Sequence, residues 1–251
     1  MSPIVVSPLR FTADIDAMRR FLELLGLRSR IESESGGWLD MVAGAGMVAL
    51  HSAATSDSGG KAGETRLCFE AEDLSTVAAR LLERGVRDVA IHDEAYGRSL
   101  TCTDPIGDPV SVNGRSDDLY GYRLHQATPD ERCKVMPVRF TEPQGPYASF
   151  LEALSLTRQG EPNDDYLVYA GSGDTGKVGL HQVYADELPI VPGPAAVHLT
   201  FETTEPLDEV AERLQGHGFD ATVTREDFGS MLSVTDPDGR ECQVHEPVAA
   251  G

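Results

Sequence analysis

The sequence lacks any long apolar run. The longest, around Met41 to Leu50, is broken by Gly44 and Gly46. A membrane-crossing helix needs about twenty predominantly apolar residues, so no span and no membrane partner are expected. The opening Met1-Ser2-Pro3-Ile4 has no basic patch leading into an apolar segment, so no secretory signal is expected either. Cysteine is scarce: Cys68, Cys102, Cys133 and Cys242 show no paired spacing, which fits reduced thiols in a cytoplasm. Basic residues are outnumbered, with 21 Lys and Arg against 41 Asp and Glu, a net charge of −20. Such a chain repels phosphates, which argues against a nucleic-acid partner. Phosphate-cradling glycine loops, a nucleophile elbow and an HExxH zinc motif are also missing.

The 251 residues are 40% hydrophobic, enough for a real core in one large or two ordinary domains. The most informative stretch is Ala196-Val197-His198-Leu199-Thr200-Phe201-Glu202. Its strict alternation predicts a strand with Val197, Leu199 and Phe201 on an apolar core. The opposite face carries an imidazole, a hydroxyl and a carboxylate, and is expected to line a polar cavity.

Internal repeats organise the rest. Pro8-Leu9-Arg10-Phe11-Thr12 returns as Pro137-Val138-Arg139-Phe140-Thr141, and Val48-Ala49-Leu50-His51 as Val178-Gly179-Leu180-His181. Leu67-Cys68-Phe69-Glu70 is answered by Leu199-Thr200-Phe201-Glu202, and Thr103-Asp104-Pro105-Ile106-Gly107 by Thr235-Asp236-Pro237-Asp238-Gly239. The halves are copies, and each divides again. A strand over 4–12 leads to a helix starting at Asp14 or Asp16, with Ile15, Met18, Leu22 and Leu25 apolar and Gly26 as its stop. Strands follow over Trp38–Val42 and Met47–Ser52. The next unit has a strand over Arg66–Glu70, a helix from Asp73 closed by Gly85, and strands near Val86–Asp93, Ser99–Thr103 and Pro109–Asn113. In the second half Pro143 is expected to open one helix, and Leu207, Val210, Ala211 and Leu214 to form the stripe of another. A stiff proline-rich connector is expected over 186–195. The result is four units of β-α-β-β-β type.

Four such units, with an Asp-Pro-x-Gly turn before the last strand, resemble the vicinal oxygen chelate superfamily. That superfamily includes glyoxalase I, bleomycin-resistance proteins, fosfomycin-modifying enzymes and extradiol dioxygenases. The resemblance runs from about Ile4 to His245. It implies an α+β fold in which four βαβββ modules form two cupped, half-open β-barrels with helices outside. On this basis 1–114 is the first domain (modules one and two), 115–132 a linker, and 133–251 the second domain (modules three and four).

Strand parity then gives the expected lining of the cups. With Leu9, Phe11, Val48, Leu50, Val138, Phe140, Val178 and Leu180 set against the helices, Arg10, His51, Arg66, Cys68, Ser111 and Asn113 face the first cup. Arg139, His181, His198, Thr200, Gln243 and His245 face the second. Arg10 and Arg139 either hold a ligand carboxylate or phosphate or pair with carboxylates across the barrel mouth. The resemblance implies metal ligands, His and Glu as a rule, from the first and last strands of paired units. His198 sits at such a first-strand position, and His51, His181 and Gln243 at last-strand positions. Pro8, Pro137, Arg66 and Ser111 depart from the pattern. The implied set for one divalent Zn, Ni, Fe or Mn ion is His181, His198 and Gln243, with His51 replacing His181 if modules one and four share a cup. A carboxylate joins only if Glu202 or Glu241 reaches across.

The expected function is a protein holding a small organic molecule in its cup, in the manner of resistance proteins that sequester. The alternative is a metal-dependent lyase, isomerase or dioxygenase acting on vicinal oxygens. A scaffold with side chains filling the cup is the third reading. Monomer and homodimer are both compatible with the sequence.

Overall fold

The computed structural model describes residues 3–94, 97–116, 119–184, 197–226 and 229–247. The connector expected over 186–195 lies outside the described residues. Module one comprises β1 (Val5–Val6), β2 (Leu9–Thr12), α1 (Ile15–Leu24), β3 (Arg28–Ser33), β4 (Trp38–Val42) and β5 (Met47–Ser52). Module two comprises β6 (Thr65–Arg66), β7 (Cys68–Ala71), α2 (Leu74–Glu83), β8 (Arg87–Glu94), β9 (Gly97–Thr103) and β10 (Pro109–Gly114). A short strand β11 (Tyr122–Leu124) precedes module three: β12 (Cys133–Val135), β13 (Val138–Phe140), α3 (Pro146–Ala153), β14 (Thr157–Gln159), β15 (Tyr166–Ala170) and β16 (Lys177–His181). Module four comprises β17 (Val197–His198), β18 (Thr200–Thr203), α4 (Leu207–Gln215), β19 (Ala221–Glu226), β20 (Gly229–Thr235) and β21 (Glu241–His245).

This is the α+β fold of four βαβββ modules in two half-open cups. In each module the first and last strands run parallel, as a helix crossover requires: β2 with β5, β7 with β10, β13 with β16, β18 with β21. Every first strand is split in two, and the pieces join neighbouring modules. β1 pairs with β7 and β2 with β6, knitting modules one and two; β12 pairs with β18 and β13 with β17, knitting three and four. Pro8 and Pro137 sit at two of the breaks, where a missing N–H interrupts the ladder. Each cup is therefore built within one half of the chain.

The helices start and stop for local reasons. Asp14 accepts from Ala17 N at 2.9 Å and Asp73 from Thr76 N at 3.0 Å, each capping the first turn of its helix. Gly26 (φ +104°) and Gly85 (φ +73°) end α1 and α2 in the left-handed region. α3 begins at Pro146 behind Gly145, not at Pro143, since proline suits the first helical position. Two strands went unseen in the sequence. β3 is charged and lacks clean alternation, and β11 lies inside the 115–132 connector, where it pairs antiparallel with β3.

The apolar cores cross the halves. One cluster joins Met18, Phe21, Val48 and Leu50 of module one to Phe201, Val210, Leu214 and Val244 of module four. The other joins Phe69, Val77, Leu81 and Val112 of module two to Phe150, Leu151, Val178 and Leu180 of module three. The halves also meet at two glycines. Gly46 (φ +77°) and Gly176 (φ +84°) lie back to back, and a Cβ on either would come within 3.2 Å of the other's Cα.

Candidate functional site

Register settles which side chains face each hollow. In β2 and β5, Arg10 is level with Leu50, a core residue, while Phe11 is level with His51. In β13 and β16, Arg139 is level with Leu180 and Phe140 with His181. The parity expected for β2 and β13 is thus reversed: Leu9, Phe11, Val138 and Phe140 face the cups, and Arg10 and Arg139 face the core. The reason is electrostatic. Arg10 donates to Thr65 Oγ1 at 3.0 Å and to Asp236, with Asp238 3.5 Å from its Nε. Arg139 donates to Asp108 at 2.5 Å, lies 3.7 Å from Asp104, and stacks over Tyr147. Both arginines are 2% exposed. Buried cations are tolerated when paired, and these are held by the Asp-Pro turns of the module across the core. The same aspartates brace their own turns, Asp104 Oδ1 accepting from Ile106 N and Asp108 N, and Asp236 Oδ1 from Asp238 N and Arg240 N. Of the two roles open to these arginines, carboxylate pairing is the one found, with partners across the core in place of the barrel mouth.

The first cup is bridged by its own side chains. Arg30 on β3 donates to Asp40 at 2.5 Å and reaches Glu70 on β7 at 2.6 Å, and Arg115 adds a contact to Glu70 at 3.0 Å. Burial works to raise the Glu70 pKa, yet the bonds and charges of Arg30 and Arg115 leave it below its ordinary value. Arg66 is bound to Glu64 at 2.6 Å and lies over the Phe11 ring. His51 Nδ1 is 2.9 Å from the Ser52 carbonyl oxygen. Ser111 lies level with Cys68, and Asn113 donates to the Cys68 sulfur. Burial pushes the Cys68 thiol up to about 12, so it is not a nucleophile at neutral pH.

The second cup differs. His198, Thr200 and Glu202 alternate along β17 and β18, with Gln243 level with Thr200 and His245 level with Glu202. His198 is 4% exposed, and among the described residues its ring makes no hydrogen bond; Phe140 meets it edge-on at 4.7 Å. Burial lowers its pKa from 6.5 to about 4, with the charges of Arg10 and His181 adding to the effect and Glu241 opposing it. Thr200 is wholly buried and its hydroxyl has no partner. Gln243 donates to Glu241 at 2.6 Å, and Lys177 closes on Glu202 at 2.5 Å. His181, level with both Phe140 and Tyr166, directs Nδ1 to the Gln182 carbonyl oxygen at 2.7 Å. His181, Phe140, Tyr166, Gln243 and His245 remain half-buried, so the hollow opens to solvent.

The structure thus brings His181, His198, Thr200 and Gln243 into one cup and leaves His51, Arg66 and Ser111 in the other. It also exposes residues the sequence reading passed over. The pairing of Val138 with His198, and of the Met136 amide with the Thr200 carbonyl at 2.9 Å, makes Met136 the counterpart of His198 across the cup. Pro137, one residue on, had been given that place. Tyr166, whose hydroxyl donates to the Met136 sulfur at 3.7 Å, comes from a strand with no polar pattern to mark it.

A divalent metal does not fit this donor set. Among the described residues no three His, Cys, Asp or Glu side chains are placed to hold one. The positions facing one another across the second cup carry a thioether (Met136), an imidazole (His198) and an amide already given to Glu241 (Gln243). Hard or borderline divalent ions take carboxylate and imidazole in preference to these. Two surface concavities, of about 790 and 360 Å³, lie outside the cups. The larger, beside Arg20, Arg28, His217 and Phe219, gathers cations already serving as helix caps: Arg28 binds the Glu23 carbonyl oxygen and His217 that of Arg213.

No family model matches the chain, and no curated protein matches it. Solved structures do. The fold is similar to the 2,3-dioxygenase LapB from Pseudomonas sp. KL28 (TM-score 0.64, 11% identity, 99% of this chain and 93% of the other). It is similar to the Mn(II)-bound glyoxalase from Novosphingobium aromaticivorans (0.60, 16%, 99% and 89%). A variant of 4-hydroxymandelate synthase from Streptomyces coelicolor gives 0.63 at 14% identity over 98% and 93%. At these identities the likeness is one of fold. No helix among the described residues is long and apolar enough to cross a membrane.

Proposed function

We propose that this chain, whose fold is that of the vicinal oxygen chelate type, binds a small organic molecule in the cup of modules three and four. The observation that carries this is a buried imidazole, His198, with no hydrogen-bond partner, next to the unpartnered hydroxyl of Thr200. Buried polar groups are nearly always satisfied, and two vacancies on one face of a half-open hollow favour a ligand. Phe140 and Tyr166 supply ring surface, while Gln243 and His181 stand at the accessible side. The role is capture without transformation, a sequestering protein of the cytoplasm; the four buried, unpaired cysteines are in keeping with that compartment.

A ligand that binds only the folded chain raises its melting temperature by mass action. A thermal-shift screen of small aromatic acids, phenols and antibiotics should therefore yield hits that His198→Ala abolishes. A screen with no hit, or hits indifferent to His198, would overturn the reading. The competing reading, a metal-dependent lyase, isomerase or dioxygenase, has the chemistry named for the structural neighbours in its favour and the donor set against it. Elemental analysis of protein purified without chelator separates the two: a stoichiometric divalent metal would favour the enzyme.

A further inference from the structure

We propose that the second cup is a metal-independent seat for an uncharged, hydrogen-bonding ring of phenol type, and that it rejects anions. This rests on the ligand-binding reading above and names its ligand class. Four features of the structure converge on it.

The cationic groups that would recognise a carboxylate or phosphate are elsewhere. Arg10 and Arg139 point into the core and are held by Asp236 and by Asp108. Lys177, the cation nearest the cup, is closed on Glu202. Glu241 stands beside Gln243 with its charge uncompensated by any ion pair among the described residues, so an incoming anion meets repulsion and no counter-charge.

The place a metal would need is filled with groups that suit a neutral ring. Met136 offers a polarisable thioether and Phe140 and Tyr166 offer aromatic surface. The imidazole of His198 and the hydroxyl of Thr200 supply one acceptor and one donor or acceptor each, matching a phenolic O–H. Cations fare poorly as well, since Glu241 already accepts from the Gln243 amide and Glu202 from Lys177. The first cup cannot serve instead, because Arg30 spans it to Glu70.

The test uses three probes of one size on the full chain: phenol, benzoate and benzylammonium. Saturation-transfer NMR and titration calorimetry are run at neutral pH with and without EDTA. Phenol should bind, with an affinity EDTA leaves unchanged, and at least tenfold more tightly than either charged probe. Thr200→Val, which replaces an unpartnered hydroxyl by a methyl of the same shape and is expected to fold normally, should weaken phenol about three- to tenfold, the worth of one hydrogen bond. Preference for benzoate or benzylammonium, loss of phenol binding in EDTA, or an unchanged affinity in Thr200→Val would each overturn the assignment while leaving a ligand-binding cup in place. Failure of all three probes together with an empty thermal-shift screen would remove the cup reading itself.

Discussion

At the scale of single residues, parity misled where charge and polarity took unexpected sides. The alternation in Leu9-Arg10-Phe11 is clear, but an alternating strand with both faces covered does not announce which face carries the helices. Arginine was assigned to the wet side because isolated buried charges are prohibitive. The pairing that permits Arg10 to turn inward comes from Asp236, more than two hundred residues away, and no local signal reports it. His198 was legible, since its strand alternates strictly and its apolar partners Val197 and Leu199 are core residues. Its environment gives a pH prediction. The folded-state pKa of about 4 lies below the ordinary 6.5, so the unfolded chain binds the extra proton first as pH falls. The contribution of His198 to stability is therefore complete above pH 6.5 and is lost progressively down to pH 4. The loss amounts to about 3 kcal/mol if the whole shift is expressed. Urea unfolding of His198→Gln should show a shallower decline than the natural chain between pH 6.5 and 4.5. Parallel curves would mean that the imidazole is solvated. Glu241, which stabilises the protonated ring, and Arg10 and His181, which oppose it, set the steepness.

At the scale of elements, helices α1, α2 and α4 and most strands were visible because periodicity, Asp caps and glycine stops agree with one another. β11 was hidden because its ladder partner, not its own sequence, makes it a strand. The repeated Asp-Pro turns were legible as turns and nothing more. In the structure each turn is also a receptor, gripping an arginine from the first strand of the module across the core. Removing one member of a buried ion pair costs about 3–5 kcal/mol, because the survivor stays charged and unpaired. Arg139→Met should lower the unfolding free energy by that amount, read from chemical denaturation. Adding Asp108→Asn should recover part of it, since Asp108 then no longer carries an orphaned charge. A loss below about 1 kcal/mol in Arg139→Met would show the pair to be water-exposed in solution.

At the scale of the whole molecule, sequence repeats revealed four modules and their order, yet not that sheets and cores would be shared differently. The sheets join modules one with two and three with four. The cores join one with four and two with three. We therefore propose that the division into 1–114 and 133–251 describes the architecture and not the folding unit. The full chain should melt in a single calorimetric transition whose van't Hoff and measured enthalpies agree. A fragment ending at residue 114 should expose the Met18–Phe21–Leu22 stripe and fail to unfold cooperatively. Two resolved transitions would sink this view. The back-to-back glycines at 46 and 176 occupy matching places in the repeats, each where the other's image falls. Were a half-length precursor to have self-associated in this geometry, one residue would have stood against its own twin, and any methyl added there would have collided with its duplicate. Only after the two copies became one gene could one side change without the other, and here neither has.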